Sequence, residues 1–252
     1  MAIKKEKKIK VDIILPNYNS SEFIKETIKS VLSQTFKNWR LIIVDDFSNV
    51  ETRRKIRKYE KSNKIKIYCL KKNRGAAYCR NFAIKKSNSD YLAFIDSDDI
   101  WKKNKLKLQI QYMKKNNYDF TYTYYKTFGL KFKNVAPPIK FNFYNFIKNT
   151  SIATSTMIIT RKAAKGIKFT DTSICEDYYF KCKILKKIKY AYCLKYYLTK
   201  YRIRKNSLQS NKIKNLYWIW RINNKYNKLG FFQNLSSLFN ISLNSFKKYG
   251  LK

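Results

Sequence analysis

The stretch Val11–Leu32, VDIILPNYNSSEFIKETIKSVL, decides how the rest of the chain reads. Val11–Leu15 is a short apolar run rich in β-branched residues, stopped by Pro16 and Asn17, and predicts a buried strand. Phe23, Ile24, Thr27, Ile28, Val31 and Leu32 then recur at spacings of three and four. That is an amphipathic helix, with Asn19 or Ser20 as its N-cap. Working outward, the same alternation repeats. Strand Leu41–Val44 is followed by a charged helix around Thr52–Glu60, strand Ile65–Leu70, a helix from about Ala76 to Lys86, and strand Tyr91–Ile95. Leu106, Ile110 and Met113 mark a further helix before strand Tyr118–Thr123. This order predicts an α/β fold: a Rossmann-like, mostly parallel central sheet flanked by helices. Ligands of such sheets sit beyond the carboxyl ends of the strands.

After about residue 125 the alternation weakens. Residues 126–150 are aromatic and polar, contain Pro137-Pro138, and read as loop-rich. Ala153–Thr160 reads as a strand and residues 177–188 as a helix carrying Phe180, Ile184 and Leu185. In the tail, Phe232, Leu235, Phe239, Leu243 and Phe246 form an i, i+3, i+7, i+11, i+14 stripe. Residues 212–248 therefore read as two amphipathic helices, a C-terminal helical extension. The expected division is a domain over 1–210 and helices over 211–252. The stripe suits either packing on its own domain or lying on an anionic leaflet beside Lys212, Lys214, Arg221, Lys225, Lys228, Lys247 and Lys248.

Composition narrows the chemistry. The chain has 252 residues, 44% of them hydrophobic, enough for a sizeable core despite a net charge of +40. The basic residues are mostly Lys and spread over the whole length, which argues against nucleic acid as the partner. Histidine is absent. That removes a Ser-His-Asp triad and any His-ligated zinc, and leaves carboxylates or lysines for acid–base work. The five cysteines contain no C-x-x-C and read as reduced, mostly buried residues of a cytoplasmic protein. The lysine-rich Met1–Lys10 is followed by an apolar run too short for a signal-peptide core. No apolar run is long enough to span a bilayer.

Acids are scarce, 16 in all, so their placement is informative. Seven fall into three clusters: Asp45-Asp46, Asp96/Asp98/Asp99 and Glu176-Asp177. The first two follow predicted strands directly. Crowded like charges need a positive partner. In FIDSDDIW (Phe94–Trp101), Asp96 and Asp98 point the same way from a strand end. Two carboxylates on one side suit Mn²⁺ or Mg²⁺, with phosphate oxygens completing the shell. An EF-hand is excluded by the missing glycine and distal glutamate. Neither G-x-x-x-x-G-K-[ST] nor G-x-G-x-x-G is present.

ILPNYN (Ile14–Asn19), IIVDDFS (Ile42–Ser48), NRGAAYCRN (Asn73–Asn81), FIDSDDIW and CEDYYF (Cys175–Phe180), in this order and at these spacings, resemble family 2 glycosyltransferases of the GT-A fold. The likeness covers about residues 10–210, and the tail resembles teichuronic-acid and polysaccharide-type members. The resemblance implies that Pro16, Asn17 and Tyr18 lie along the nucleoside. Asp46 would accept a hydrogen bond from the base, and Arg80 would hold the nucleotide side. Asp96 and Asp98 would form the D-x-D pair, Asp98 on the metal and Asp96 nearer the ribose. Asp177 of the Glu176-Asp177 pair would be the catalytic base. A metal stabilises the diphosphate leaving group, and a base takes the acceptor hydroxyl's proton. One base and one metal imply inversion.

Two departures stand out. Phe47 takes the place of the usual glycine in VDDGS, so that loop is expected to be shaped differently. Arg204 replaces the usual histidine in Tyr201–Ser207 and is expected to grip phosphate without ligating metal. The alternative for Arg202 and Arg204 is a solvated basic strand. Thr154–Thr156 would flank the acceptor site, or simply begin a strand. The implied donor is a nucleotide-diphosphate sugar, most readily a UDP-sugar. The implied acceptor is a cell-envelope glycan or lipid-linked glycan at the cytoplasmic membrane face. Rival classes are a basic nucleic-acid-binding module and a sugar-nucleotide nucleotidyltransferase, though Pro16–Ser21 is no Gly/Arg/Lys-rich phosphate loop.

Overall fold

A computed structural model describes residues 9–170, 172, 174–205 and 212–249. Met1–Lys8, Asn206, Ser207 and the side chains of Lys247 and Lys248 lie outside the described residues. The first half runs β1 (Val11–Asn17), α1 (Ile24–Leu32), β2 (Trp39–Asp45), α2 (Val50–Arg57), β3 (Ile65–Cys69), α3 (Gly75–Lys86) and β4 (Tyr91–Phe94). Then come β5 (Ile100–Trp101), α4 (Lys105–Asn116), β6 (Phe120–Gly129), β7 (Asn134–Val135), β8 (Lys140–Phe141) and α5 (Phe143–Phe146). A 3₁₀ turn (Thr154–Thr156), β9 (Ile158–Thr160), α6 (Arg161–Ala164), α7 (Glu176–Ile188) and β10 (Ala191–Ile203) follow. The tail is α8 (Lys212–Ile222), a π-helical turn (Asn223–Asn227) and α9 (Phe231–Tyr249).

The strands form a single sheet in the order β3-β2-β1-β4-β9-β6-β10-β5, with β7 on β6 and β8 on β10. β3, β2, β1 and β4 are mutually parallel, and so are β6 and β10. β9 joins the two groups through antiparallel pairing to β4 and β6. Val11, Ile13 and Leu15 of β1 pack on one side with Ile24, Ile28 and Val31 of α1. Ile14, Ile42 and Val44 face the other side, toward Ala77, Cys79 and Ala83 of α3 and Phe180 and Ile184 of α7. Strands covered on both faces read as unbroken apolar runs. Each such side chain contributes about 2 kcal/mol by leaving water.

Several expectations change. α1 starts at Ile24, and its N-cap residue is Phe23, with no side-chain cap. Ser20 and Asn19 are drawn into the loop above β1 instead: the Ser20 hydroxyl donates to Asn17, and Asn19 Oδ1 accepts the Asn49 N–H at 2.8 Å. The strand expected over Ala153–Thr160 is a 3₁₀ turn followed by only three strand residues. The strand expected over Tyr118–Thr123 continues to Gly129, into the region read as loop, because β10 pairs along it. All five cysteines are free, as expected, and Cys69 is exposed.

The tail answers the question its periodicity left open. α8 and α9 dock on the domain, and Ile219, Ile222 and Ile241 join the core around α3 and α7. The stripe Phe232, Leu235, Phe239, Leu243 and Phe246 is not the docking face; it is exposed. Docking runs through buried polar groups. Tyr178 donates to Asn223 Oδ1 at 2.7 Å, Asn223 Nδ2 donates to Asn234 and Ser237, and Ser237 donates to the Ile147 carbonyl at 2.5 Å. Asn223→Leu strands several buried partners and is expected to lower stability by about 3 kcal/mol in urea unfolding. Phe239→Ser on the exposed stripe should stay within about 0.5 kcal/mol of the parent.

Candidate active site

β1, β2 and β4 end side by side, and all three acid clusters gather near that edge. Asn17, at the end of β1, donates to Asp45 Oδ1 at 2.6 Å, and Asp45 also accepts the Ser48 N–H and faces Arg53. Asp46 takes the N–H groups of Arg74 (2.6 Å) and Gly75 (2.7 Å) onto its two carboxylate oxygens. It thereby anchors the start of α3, where backbone donors have no helical partner. Pro16 lies within β1, and Tyr18 projects from the same loop, 52% exposed. Phe47 holds φ 63°, the left-handed conformation that glycine adopts freely, with the Arg53 guanidinium 5.0 Å from its ring. The turn keeps a backbone region natural to glycine, at a cost of about 1 kcal/mol.

Arg80 is the hub. It leaves α3 buried and donates to Asp96 Oδ1 at 2.7 Å and to Glu176 Oε1 at 2.6 Å. Its face lies over Phe169, 5.3 Å from the ring centre. Burial opposes the charge, but Asp96 and Glu176 outweigh it and raise the guanidinium's pKa. Asp96 and Asp98 lie in the turn after β4 rather than on the strand. Ser155 fixes that turn by accepting the Asp96 N–H at 2.9 Å. Burial raises the Asp98 carboxyl above its ordinary range, with Asp96 adding to the rise against the opposing charge of Arg204. Asp99, fully buried, is pushed well above that range by burial and then by Asp98 and Asp96.

Arg202 and Arg204 are ion-paired rather than simply a solvated basic strand, although the Arg204 side chain, one residue past β10, stays 42% exposed. Arg204 pairs with Asp98 Oδ2 at 2.7 Å. Arg202 gives its backbone N–H to Asp99, its Nε to the Asp98 carbonyl and a terminal nitrogen to Glu26 at 2.6 Å. β10 thus closes over the acidic turn.

The donor set can be weighed for a cation. Asp96 pairs through Oδ1 and Asp98 through Oδ2, so each keeps an oxygen with no cationic partner among the described residues. No group of three or more His, Cys, Asp or Glu that could hold an ion occurs among the described residues. What the two aspartates offer a hard divalent cation is two carboxylate oxygens, with the rest of the shell left to phosphate and water.

Asp177 opens α7 beside Glu176, after Cys175 in the left-handed region at φ 61°. Backbone strain of this kind persists where surrounding contacts hold it. Thr154 and Lys181 both donate to Asp177 Oδ2 at 2.7 Å, and Lys181 also reaches Thr154 Oγ1 at 3.1 Å. Oδ1 has no hydrogen-bond partner among the described residues. Burial alone would raise this carboxyl; the Lys181 ammonium and the Thr154 hydroxyl overcome it and hold Asp177 at about 2. Glu176 goes the other way, raised by burial and by Asp177 against the opposing charge of Arg80. Two neighbouring acids are thereby separated in basicity. A polar cavity of about 100 Å³ lies against Arg80, Asp96, Thr154, Glu176 and Asp177. Thr154, Ser155 and Lys181 are the supporting residues least visible in the sequence, although Thr154 and Ser155 fall in the TST run beside the expected acceptor site.

Comparison with known proteins agrees with this arrangement. The family model "Glycosyl transferase family 2" matches residues 12–187. A Bacillus subtilis protein named for teichuronic acid biosynthesis, the glycosyltransferase TuaG, is 33% identical over 94% of this chain and 96% of its own length. The Escherichia coli UDP-Glc:alpha-D-GlcNAc-diphosphoundecaprenol beta-1,3-glucosyltransferase WfgD is 38% identical over 84% of each chain. Staphylococcus aureus TarS residues 1–349, solved with UDP-GlcNAc, superposes with a TM-score of 0.74 at 22% identity, over 95% of this chain and 73% of that one. That likeness establishes the GT-A fold.

Replacing Lys181 tests the electrostatics directly. Asp177 has a folded pKa below its unfolded value, so it adds stability above about pH 4 that is lost as pH falls through about 2. In Lys181→Met the burial effect loses its main opponent. The Asp177 titration midpoint, followed by carboxyl carbon-13 NMR, is expected to rise above the ordinary carboxylate range.

Proposed function

This chain belongs to glycosyl transferase family 2 and is a glycosyltransferase of the GT-A fold, and we propose that it transfers a sugar, with inversion, from a UDP-sugar to a lipid-linked or glycan acceptor of the cell envelope. Membership in the family sets aside the nucleic-acid module and the nucleotidyltransferase. The activity named for WfgD supports the donor and acceptor classes, and the naming of TuaG for teichuronic acid biosynthesis supports the cell envelope as the destination. The observation that carries the mechanism is Asp177: held ionised to about pH 2 by Lys181 and Thr154, with Oδ1 unengaged among the described residues, on the wall of a polar cavity shared with Arg80 and Asp96.

In this reading Asp177 is the base. The acceptor oxygen bonds to the anomeric carbon as the bond from that carbon to the diphosphate oxygen breaks. The attacking hydroxyl becomes strongly acidic as its oxygen gains bonds, so even a weakly basic carboxylate takes the proton late in the step. Lys181 and Thr154 hold Asp177 ionised and oriented. Glu176 acts through Arg80, keeping the guanidinium in place. Pro16, Asn17, Tyr18 and Asp46 form the nucleoside side, and Arg204 meets the diphosphate. Asp98 and Asp96 would hold Mn²⁺ or Mg²⁺, which when bound supplies positive charge to the leaving diphosphate.

The tail supplies the surface. No helix among the described residues is long and apolar enough to cross a membrane. The exposed stripe of α9 with exposed Lys212 and Lys214 of α8 suits the surface of an anionic leaflet, where apolar area and lysines act together. Binding to phosphatidylglycerol-containing vesicles is expected, and Phe239→Asp should weaken it by about tenfold or more. Equal binding to neutral vesicles would contradict the electrostatic part.

Calorimetry with UDP, GDP, CDP and dTDP, with and without Mn²⁺, tests the donor reading. UDP is expected to bind in a Mn²⁺-dependent manner that Asp98→Ala abolishes. Asp177→Asn should bind UDP as the parent does and lose transfer by about a thousandfold or more. Wild-type turnover in Asp177→Asn would refute the mechanism.

A further inference from the structure

The mechanism above leaves the larger cavity unused. It holds about 340 Å³ and lies between the start of α7, the segment Asn149–Ser151 and the α8–α9 hairpin. Thr150 and Asp177 line both this cavity and the smaller polar one. The two spaces therefore meet at the carboxylate that takes the acceptor's proton. A donor approaching from the Arg80 and Asp96 side leaves the second space for the molecule that attacks.

The lining describes the occupant. Its lining mixes apolar side chains, Phe146, Leu216 and Ile241, with amide and hydroxyl groups from Asn149, Ser242 and Asn244. A plain hydrocarbon would cover that polar surface without satisfying it. A pyranose ring matches a mixed lining, its C–H face against apolar groups and its hydroxyls toward polar ones. Lys212 also lines this cavity, its ammonium 5.5 Å from the Phe246 ring. Phe246 in turn ends the exposed stripe of α9. Lys212 and Phe246 thus belong both to the cavity lining and to the exposed surface of the hairpin, where a sugar held in the cavity could bring its phosphate to the cation and its lipid to the stripe.

We propose that the α8–α9 cavity is the acceptor subsite, taking the terminal sugar of a sugar-diphosphate lipid with its reacting hydroxyl at Asp177 and its diphosphate at Lys212. This rests on the glycosyltransferase reading above and extends it to the side of the site that selects the acceptor. It also gives the tail hairpin a direct place in substrate recognition.

The probe is a synthetic N-acetylglucosaminyl diphosphate bearing a short alkyl chain, measured by calorimetry beside UDP with Mn²⁺. Ser242→Trp fills the cavity from a half-exposed position, and Lys212→Glu reverses the charge at an exposed one. Each is expected to weaken the sugar-diphosphate probe by about tenfold or more and to leave UDP binding unchanged, which also reports that the variant is folded. If both variants bind the probe as the parent does, the cavity is not the acceptor subsite and the donor chemistry stands. If the parent binds UDP but not the probe, the acceptor class itself is wrong and the subsite falls with it. If an alkyl phosphate without the sugar competes equally well, the cavity is a lipid site and the assignment to the sugar is overturned.

Discussion

One buried guanidinium holds the functional edge of this molecule together. Arg80 joins Asp96, after β4, to Glu176, at the start of α7, 80 residues further along the sequence. Taking an arginine out of water costs several kcal/mol, and only close, well-aligned carboxylates offset that. Both are present at under 3 Å. The consequence is geometric: α7 cannot shift without breaking the pair, so Asp177, one residue beyond Glu176, is fixed relative to the acidic turn. The same pairing lets four closely placed carboxylates share one edge of the sheet.

The supporting contacts follow the same logic. With so few acids, each central one meets an arginine, a lysine or a row of backbone N–H groups, while most lysines remain in solvent. Asp12 shows this on a strand with no catalytic assignment: Arg40 grips it through two nitrogens, and Ser87 and the Asn88 N–H complete its shell. Asn19, Phe47 and Cys175, all in the left-handed region, cluster around the acidic loops. Strain is concentrated where loops must turn sharply to bring carboxylates together.

The first half of the fold was legible because its strands are buried on both sides and its helices on one, and each situation leaves its own period in the sequence. The acid clusters were legible because acids are rare here. β10 was not. It is the longest strand, yet half of it is partly exposed, and its register against β6 shifts twice between Leu194 and Thr199. A strand with such irregularities shows no clean alternation. The tail misleads differently, since the hydrophobic periodicity of α9 marks the stripe left in solvent while the docking face combines Ile219, Ile222 and Ile241 with the buried polar Asn223, Asn234 and Ser237. Lys181 was hidden by its own abundance: nothing in the sequence separates the one lysine that fixes Asp177 from the many others. Arg204 was read as a phosphate contact, and its pairing with Asp98 required the fold of β10 back over the turn.

The position of β10 also orders events in time. It pairs with β6 in parallel, with about sixty residues of chain lying between the two strands. Long-range parallel pairing is slow to form because loop closure precedes any gain from contact. On a ribosome, β1 to β4 and α1 to α3 emerge able to assemble, whereas β6 waits for a neighbour made much later. Arg202 sits near the end of that late strand and Arg204 one residue beyond it. Asp98 and Asp99 therefore meet their partners well after Asp96 can meet Arg80, and the acidic turn is completed only once the chain has been made past residue 204.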